Sequence, residues 1–96
     1  MIPGHEFVGK VVAVGDDVKL LKIGDRVGVS PISGSCGECK QCTSAYGQLC
    51  AKKILTYNGL YNGHRTYGGY ANKVRVQETW AIKIPENISD EEGAPL

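Results

Sequence analysis

The 96-residue sequence has no excess of either charge: eleven Lys and Arg face ten Asp and Glu, for a formal net charge of +1. The basic residues are scattered and form no face or stripe, so a nucleic-acid partner held by phosphate contacts is not expected. No stretch approaches the ~18 consecutive apolar residues of a membrane span, and no membrane partner is expected either. The N-terminus lacks a charged leader followed by an apolar run, and the simplest expectation is a cytoplasmic protein, whose cysteines stay reduced. There is no internal repeat and no low-complexity segment. No G-x-G-x-x-G follows a strand anywhere, so no nucleotide-binding domain and no cofactor-binding residues can be placed in this chain. A second domain does not fit within this length.

The composition points to β-structure. Thirteen glycines accompany apolar residues that are mostly Val and Ile, a mixture that favours turn-rich strands over helix. Phe7 to Val14 (FVGKVVAV) is β-branched and nearly apolar on both faces, which predicts a central strand buried on two sides. Arg26 to Ser30 predicts a second strand, joined to the first as a hairpin with a long connection. Tyr70 to Gln77 alternates, with Tyr70, Val74 and Val76 against Lys73, Arg75 and Gln77, and predicts a half-exposed strand. Trp80, Ile82 and Ile84 repeat the period of two until Pro85 ends the run. Ser89 with Glu92 three residues on is a capping box, predicting a helix from Asp90.

Residues 31–60 have no sustained periodicity, and ordinary packing cannot organise them. This segment holds all four cysteines, Cys36, Cys39, Cys42 and Cys50. Their spacing, C-x2-C-x2-C-x7-C, places four soft ligands in one glycine-rich loop. Zinc accepts four thiolates in a tetrahedron, and a shell closed by four sulfurs leaves no position for substrate, so such a site is structural. Two disulfides, an iron-sulfur cluster and unpaired thiols are the alternatives. The bacterial ferredoxin run has a last gap of three followed by proline, unlike the seven residues and Ala51 found here. A zinc ribbon would separate two C-x2-C knuckles by ~15–20 residues.

Pro3-Gly4-His5-Glu6-Phe7 sets a histidine and a carboxylate at the entrance to the first strand, where a glycine turn can aim them into a cleft. Taken alone, a histidine at a strand start is more often structural than a ligand. In context, PGHEFVGKVVAVG, the GDRV turn and strand, and CGECKQC with its fourth cysteine closely resemble the zinc-dependent alcohol dehydrogenases of the medium-chain dehydrogenase/reductase superfamily. GGYANKVRV and IPENISDEEGAPL resemble the cinnamyl-alcohol-dehydrogenase-like branch, which implies NADP. The resemblance covers essentially the whole chain. It implies a mainly β fold, a partial GroES-like β-barrel with a four-cysteine zinc lobe over 31–60 and a short C-terminal helix start.

The resemblance also implies that His5 is a catalytic zinc ligand and that Glu6 is a neighbour able to enter and leave the metal's shell. The family's remaining ligands lie before the Gly-His-Glu motif and after Ala94-Pro95-Leu96. The chain is therefore expected to be a fragment with an incomplete catalytic site, inactive alone, of an enzyme that interconverts alcohols and aldehydes, with those small molecules as partners, as a homo-oligomer. A stand-alone zinc-stabilised binding module is the alternative function. His64 is expected to be exposed, and Gly68-Gly69 to form a turn needing unusual backbone angles in preference to a close approach to a ligand. Asp16, Asp17 and Asp25 read as turn residues. Tyr57, Tyr61 and Tyr67 either line a cleft or cover the core.

Overall fold

The computed structural model describes residues 2–95. Strands β1 (Phe7–Lys10), β2 (Arg26–Val29) and β3 (Ile32–Gly34) precede a single-turn helix α1 (Lys40–Thr43), and the short strands β4 (Ile54–Leu55), β5 (Leu60–Tyr61) and β6 (His64–Arg65) follow. Strand β7 (Ala81–Lys83) and helix α2 (Asp90–Gly93) close the chain, as the expected mainly β composition requires.

The main sheet has the order β1-β2-β7, antiparallel throughout. Phe7 pairs with Val29 and Lys10 with Arg26 on one side of β2, and Val29 pairs with Ala81 on the other. Successive side chains of a strand alternate between faces. Val27 and Val29 therefore point the same way and form the buried core with Ala81, and Phe7, Val11, Leu21 and Val76 pack around it. The hairpin joining β1 to β2 carries the expected long connection. The carboxylate of Glu78 ties that connection down by accepting the N–H groups of Lys19 (2.9 Å) and Leu20 (3.0 Å).

Two strand expectations need correction. The Phe7–Val14 segment is not central: β1 ends at Lys10 and lies at the edge of its sheet, with β2 in the middle. Pairing persists one residue further, where the Val11 N–H donates to the Asp25 carbonyl at 2.8 Å, but Val12 and Val14 are 61% and 41% exposed. A run of β-branched residues marks strand propensity; burial on both faces also needs elements packed against both faces, and Gly9 and Lys10 of β1 are exposed. The Tyr70–Gln77 segment forms no strand, since no described segment pairs with it, and Tyr70 is 78% exposed. Its alternation has a simpler cause: Val76 alone of the three apolar residues packs against the core.

The C-terminal helix begins at Asp90 as the capping box predicts. Ser89 Oγ accepts from the Glu92 N–H, and the Glu92 carboxylate accepts from the Ser89 N–H, each at 3.2 Å. This satisfies two amides that the first helical turn leaves without partners. The Arg26 guanidinium fastens α2 to the main sheet by donating to the carbonyls of Pro85 (2.7 Å) and Ile88 and pairing with Asp90 (2.7 Å). The hairpin β5–β6 turns on Asn62-Gly63, both in the left-handed region with φ of 51° and 80°. Asn-Gly is the strongest short-range signal for such a turn, and it marks this hairpin in the sequence.

Candidate metal centre

The segment between β3 and β4 carries the four cysteines. Cys36 and Cys39 lie before α1, Cys42 lies within it, and Cys50 follows a 3-10 turn over Gly47–Leu49. A 15-residue loop with so few apolar contacts has little reason to converge its thiols, yet the four Sγ atoms all lie within 4.8 Å of one another. Sγ separations are 3.5 Å for Cys39–Cys42, 3.6 Å for Cys36–Cys50 and 3.8 Å for Cys36–Cys42. A tetrahedron with metal–sulfur arms of ~2.3 Å has edges of ~3.8 Å, so these three separations stand close to the spacing zinc requires. All four cysteines are free, and sulfurs 3.5 Å apart lie far beyond the ~2.05 Å of a disulfide bond.

The backbone prepares the sulfurs for negative charge. Cys36 Sγ accepts the N–H groups of Glu38 (3.4 Å) and Cys39 (3.3 Å), and Cys50 Sγ accepts that of Lys52 (3.3 Å). Hydrogen bonds to a charged form favour it, and the Glu38 and Cys39 amides hold the Cys36 thiol below its ordinary range. The Ser35 side chain, helped by the Gly37 amide, brings the Cys42 thiol down to about 6. Cys39 behaves in the opposite way. The Cys42 backbone amide favours its thiolate, but burial and the sulfurs of Cys42, Cys36 and Cys50 outweigh that amide and push it up to about 11. Four clustered thiols thus resist complete ionisation until a cation offsets the repulsion, which is the chemistry of a metal-binding set. Cys50 is the anchor, only 1% exposed.

His5 and Glu6 lie elsewhere. Gly4, with φ of 111°, turns the chain into β1, and both residues after it are exposed. The His5 ring stands against Tyr57, with ring centroids 5.7 Å apart. These two line an open groove of ≈ 240 Å³ with Pro31, Leu55 and Asn58. Tyr57 therefore lines a cleft, while Tyr61 and Tyr67 are 47% and 57% exposed. Its neighbour Thr56 fixes it: Thr56 is 5% exposed, its hydroxyl donates to the Ser30 carbonyl at 2.5 Å and its N–H to that of Pro31 at 2.9 Å. Nothing in the sequence analysis singled out Thr56, and a lone threonine in a loop gives no signal.

The remaining expectations divide. His64 is exposed on β6. Asp25 is a turn residue, its carboxylate accepting the Lys22 N–H at 2.9 Å and so held below the usual carboxylate range. Asp16 and Asp17 lie in the turn closed by the Val18 N–H on the Gly15 carbonyl. The reading of Gly68-Gly69 as a turn with unusual angles is wrong. Neither has positive φ, and their smallness serves close packing, of Gly68 against Pro3 and Gly4 and of Gly69 against the Phe7 ring.

Among the described residues, the four cysteines form the one group of three or more His, Cys, Asp or Glu close enough to share an ion. No described helix is long and apolar enough to cross a membrane. Residues 1–86 match the alcohol dehydrogenase GroES-like domain. The whole chain is 48% identical to a probable cinnamyl alcohol dehydrogenase of Populus deltoides and 47% identical to cinnamyl alcohol dehydrogenase 1 of Ocimum basilicum, spanning 27% of each. Among solved structures, the CAD of Helicobacter pylori complexed with NADP(H) superposes with a TM-score of 0.93 at 41% identity, over 100% of this chain and 28% of that one. The cinnamyl alcohol dehydrogenase of Sorghum bicolor gives 0.96 at 36% identity, over 99% and 28%. The mainly β architecture with its four-cysteine lobe is thus that of a known domain: the chain belongs to the GroES-like domain family of the zinc-dependent alcohol dehydrogenases.

Proposed function

We propose that this chain is the metal-carrying part of an NADP-dependent alcohol dehydrogenase that interconverts alcohols and aldehydes. The observation that carries the reading is the pairing of two separate features on one small domain: a closed four-sulfur cluster, and a histidine and carboxylate beside an aromatic-walled groove. The chain spans about a quarter of the curated relatives it matches, so the reaction is assigned to the longer enzyme, and the chain alone is proposed to be inactive.

In this reading Cys36, Cys39, Cys42 and Cys50 hold a structural zinc that fastens the lobe. Their shell is filled by protein sulfur and takes no part in chemistry. His5 would hold the catalytic zinc through a ring nitrogen, with Glu6 next to it. When bound, that zinc supplies Lewis acidity to the substrate oxygen and NADP takes up the hydride. Tyr57, Leu55 and Pro31 give the groove apolar walls that keep water from one side of the substrate. In the longer enzyme the two metals would take opposite tasks by their ligands, four thiolates against a set that includes the His5 imidazole.

The test is zinc content and nicotinamide absorbance of the full-length enzyme. His5→Ala should remove about one zinc of two and abolish alcohol-dependent NADP reduction. Cys50→Ser should remove the other zinc and lower thermal stability first. Full zinc content and activity in His5→Ala would overturn the assignment.

A further inference from the structure

The segment carrying His5 is seated on a pair of glycines from a distant part of the chain. The Gly68 N–H donates to the Ile2 carbonyl at 2.7 Å, that of Gly69 to Gly4 at 3.0 Å and that of Tyr70 to Pro3 at 3.0 Å. Three successive amides thus bind three successive carbonyls immediately before His5. The approach is closer than side chains permit. A Cβ on Gly68 would lie 2.2 Å from the Gly4 oxygen and 2.6 Å from the Pro3 oxygen, and one on Gly69 would lie 2.2 Å from the Phe7 ring. The exclusion is mutual, since a Cβ on Gly4 would lie 2.7 Å from the Gly69 nitrogen. Most of the clashing atoms are backbone, which no rotamer change relieves. Gly68 is buried, though no apolar side chain of its own puts it there.

We propose that Gly68 and Gly69 are positioning residues for His5, clamping Pro3-Gly4 by backbone contact so that the imidazole is held against Tyr57 at the groove. The opposite wall is fixed independently, because Tyr57 follows the buried Thr56, bonded to Ser30 and Pro31. The distance between imidazole and phenol then depends on the glycine clamp together with the pairing of Phe7 with Val29. Gly68→Ala must separate the two segments by at least the difference between 2.2 Å and an ordinary carbon–oxygen contact, about 1 Å. A displacement of that size at a catalytic centre costs on the order of a hundredfold in rate. The functional weight of the clamp rests on the assignment of His5 as a ligand; the clamp itself does not.

The test reads the imidazole without any catalytic metal. His5 and His64 are the only histidines, so in ring spectra of the zinc-loaded chain the exposed His64 is an internal reference. Gly68→Ala should abolish the His5–Tyr57 ring contact and shift the His5 ring signals, while His64, the Val27 and Val29 methyl signals and zinc content stay unchanged. Gly15→Ala, with nothing within 4 Å of its added carbon, should alter none of these. A folded Gly68→Ala chain that keeps the His5–Tyr57 contact overturns the proposal. If Gly68→Ala does not fold, amide exchange in the unsubstituted chain decides. Protected amides at Gly68, Gly69 and Tyr70 uphold the clamp, and exchange there at free-peptide rates overturns it. Refutation of His5 as a zinc ligand would appear in zinc content of the full-length enzyme and would leave these spectra untouched.

Discussion

Thr56→Val separates the hydroxyl of a buried threonine from its shape. The side chain is 5% exposed and its hydroxyl donates to the Ser30 carbonyl at 2.5 Å. Valine fills nearly the same volume, so no cavity opens, but the donor is gone and the Ser30 carbonyl loses a partner. Losing one partner of a buried hydrogen bond costs about 1–3 kcal/mol. From the middle of that range, about 2 kcal/mol, the added methyl returns up to ~0.8 kcal/mol through burial, leaving a net loss of about 1–2 kcal/mol. For a domain of this size each kcal/mol moves Tm by about 4–8 °C, so the melt should fall by roughly 4–16 °C. Thr56→Ser keeps the donor and should fall by less. The assay is thermal unfolding followed by circular dichroism at fixed zinc concentration. A Thr56→Val melt within about 2 °C of the unsubstituted chain would refute the reasoning, because the Ser30–Thr56 bond would then contribute nothing.

Arg26→Ala should destabilise by about 1–3 kcal/mol in urea unfolding, since the guanidinium donates to the Pro85 and Ile88 carbonyls. Asp90→Asn should cost under about 1 kcal/mol, because Asp90 is 70% exposed and its ion pair is screened by solvent; equal effects for the two would contradict this division. In metal-free, reduced chain, Cys42, with its thiol at about 6, is largely thiolate at pH 7, whereas Cys39, at about 11, is neutral. Iodoacetamide followed by peptide mapping should therefore label Cys42 first, with a rate that falls as pH drops through 6, and Cys39 last; the reverse order would sink the assignment. Ser89→Ala should lower stability by about 1 kcal/mol through loss of the capping box, and an unchanged melt would show that α2 contributes nothing to the fold.

What the sequence discloses depends on whether a feature is local. The four cysteines, the Ser89–Glu92 box and the Asp25 turn each bring their partners within fifteen residues, so spacing alone encodes their geometry. The paired strands β1 and β2 were legible because each carries its own β-branched run. The place of β1 at an edge was not, since neighbour order depends on where Ala81–Lys83 docks, more than fifty residues away. Tyr70–Gln77 shows the converse failure. Its alternation is real, yet strand formation needs a partner whose amides and carbonyls remain free. The glycines at 68 and 69 gave only a composition signal, read as backbone freedom. Their actual constraint is the backbone of Pro3 and Gly4 for the first and the ring of Phe7 for the second, which no window around residue 68 contains. Likewise the facing of His5 and Tyr57 rests on long-range bonds, those of Thr56 to Ser30 and Pro31 and those of Gly68, Gly69 and Tyr70 to Ile2, Gly4 and Pro3.

The central claim is that four sulfurs at tetrahedral spacing hold one zinc. Elemental analysis of chain purified without added metal, with thiol titration before and after chelation, tests it directly. The account predicts about one zinc per chain and four thiols that react only once the chelator has removed it. Iron in place of zinc, or metal-free chain with oxidised cysteines, would contradict it.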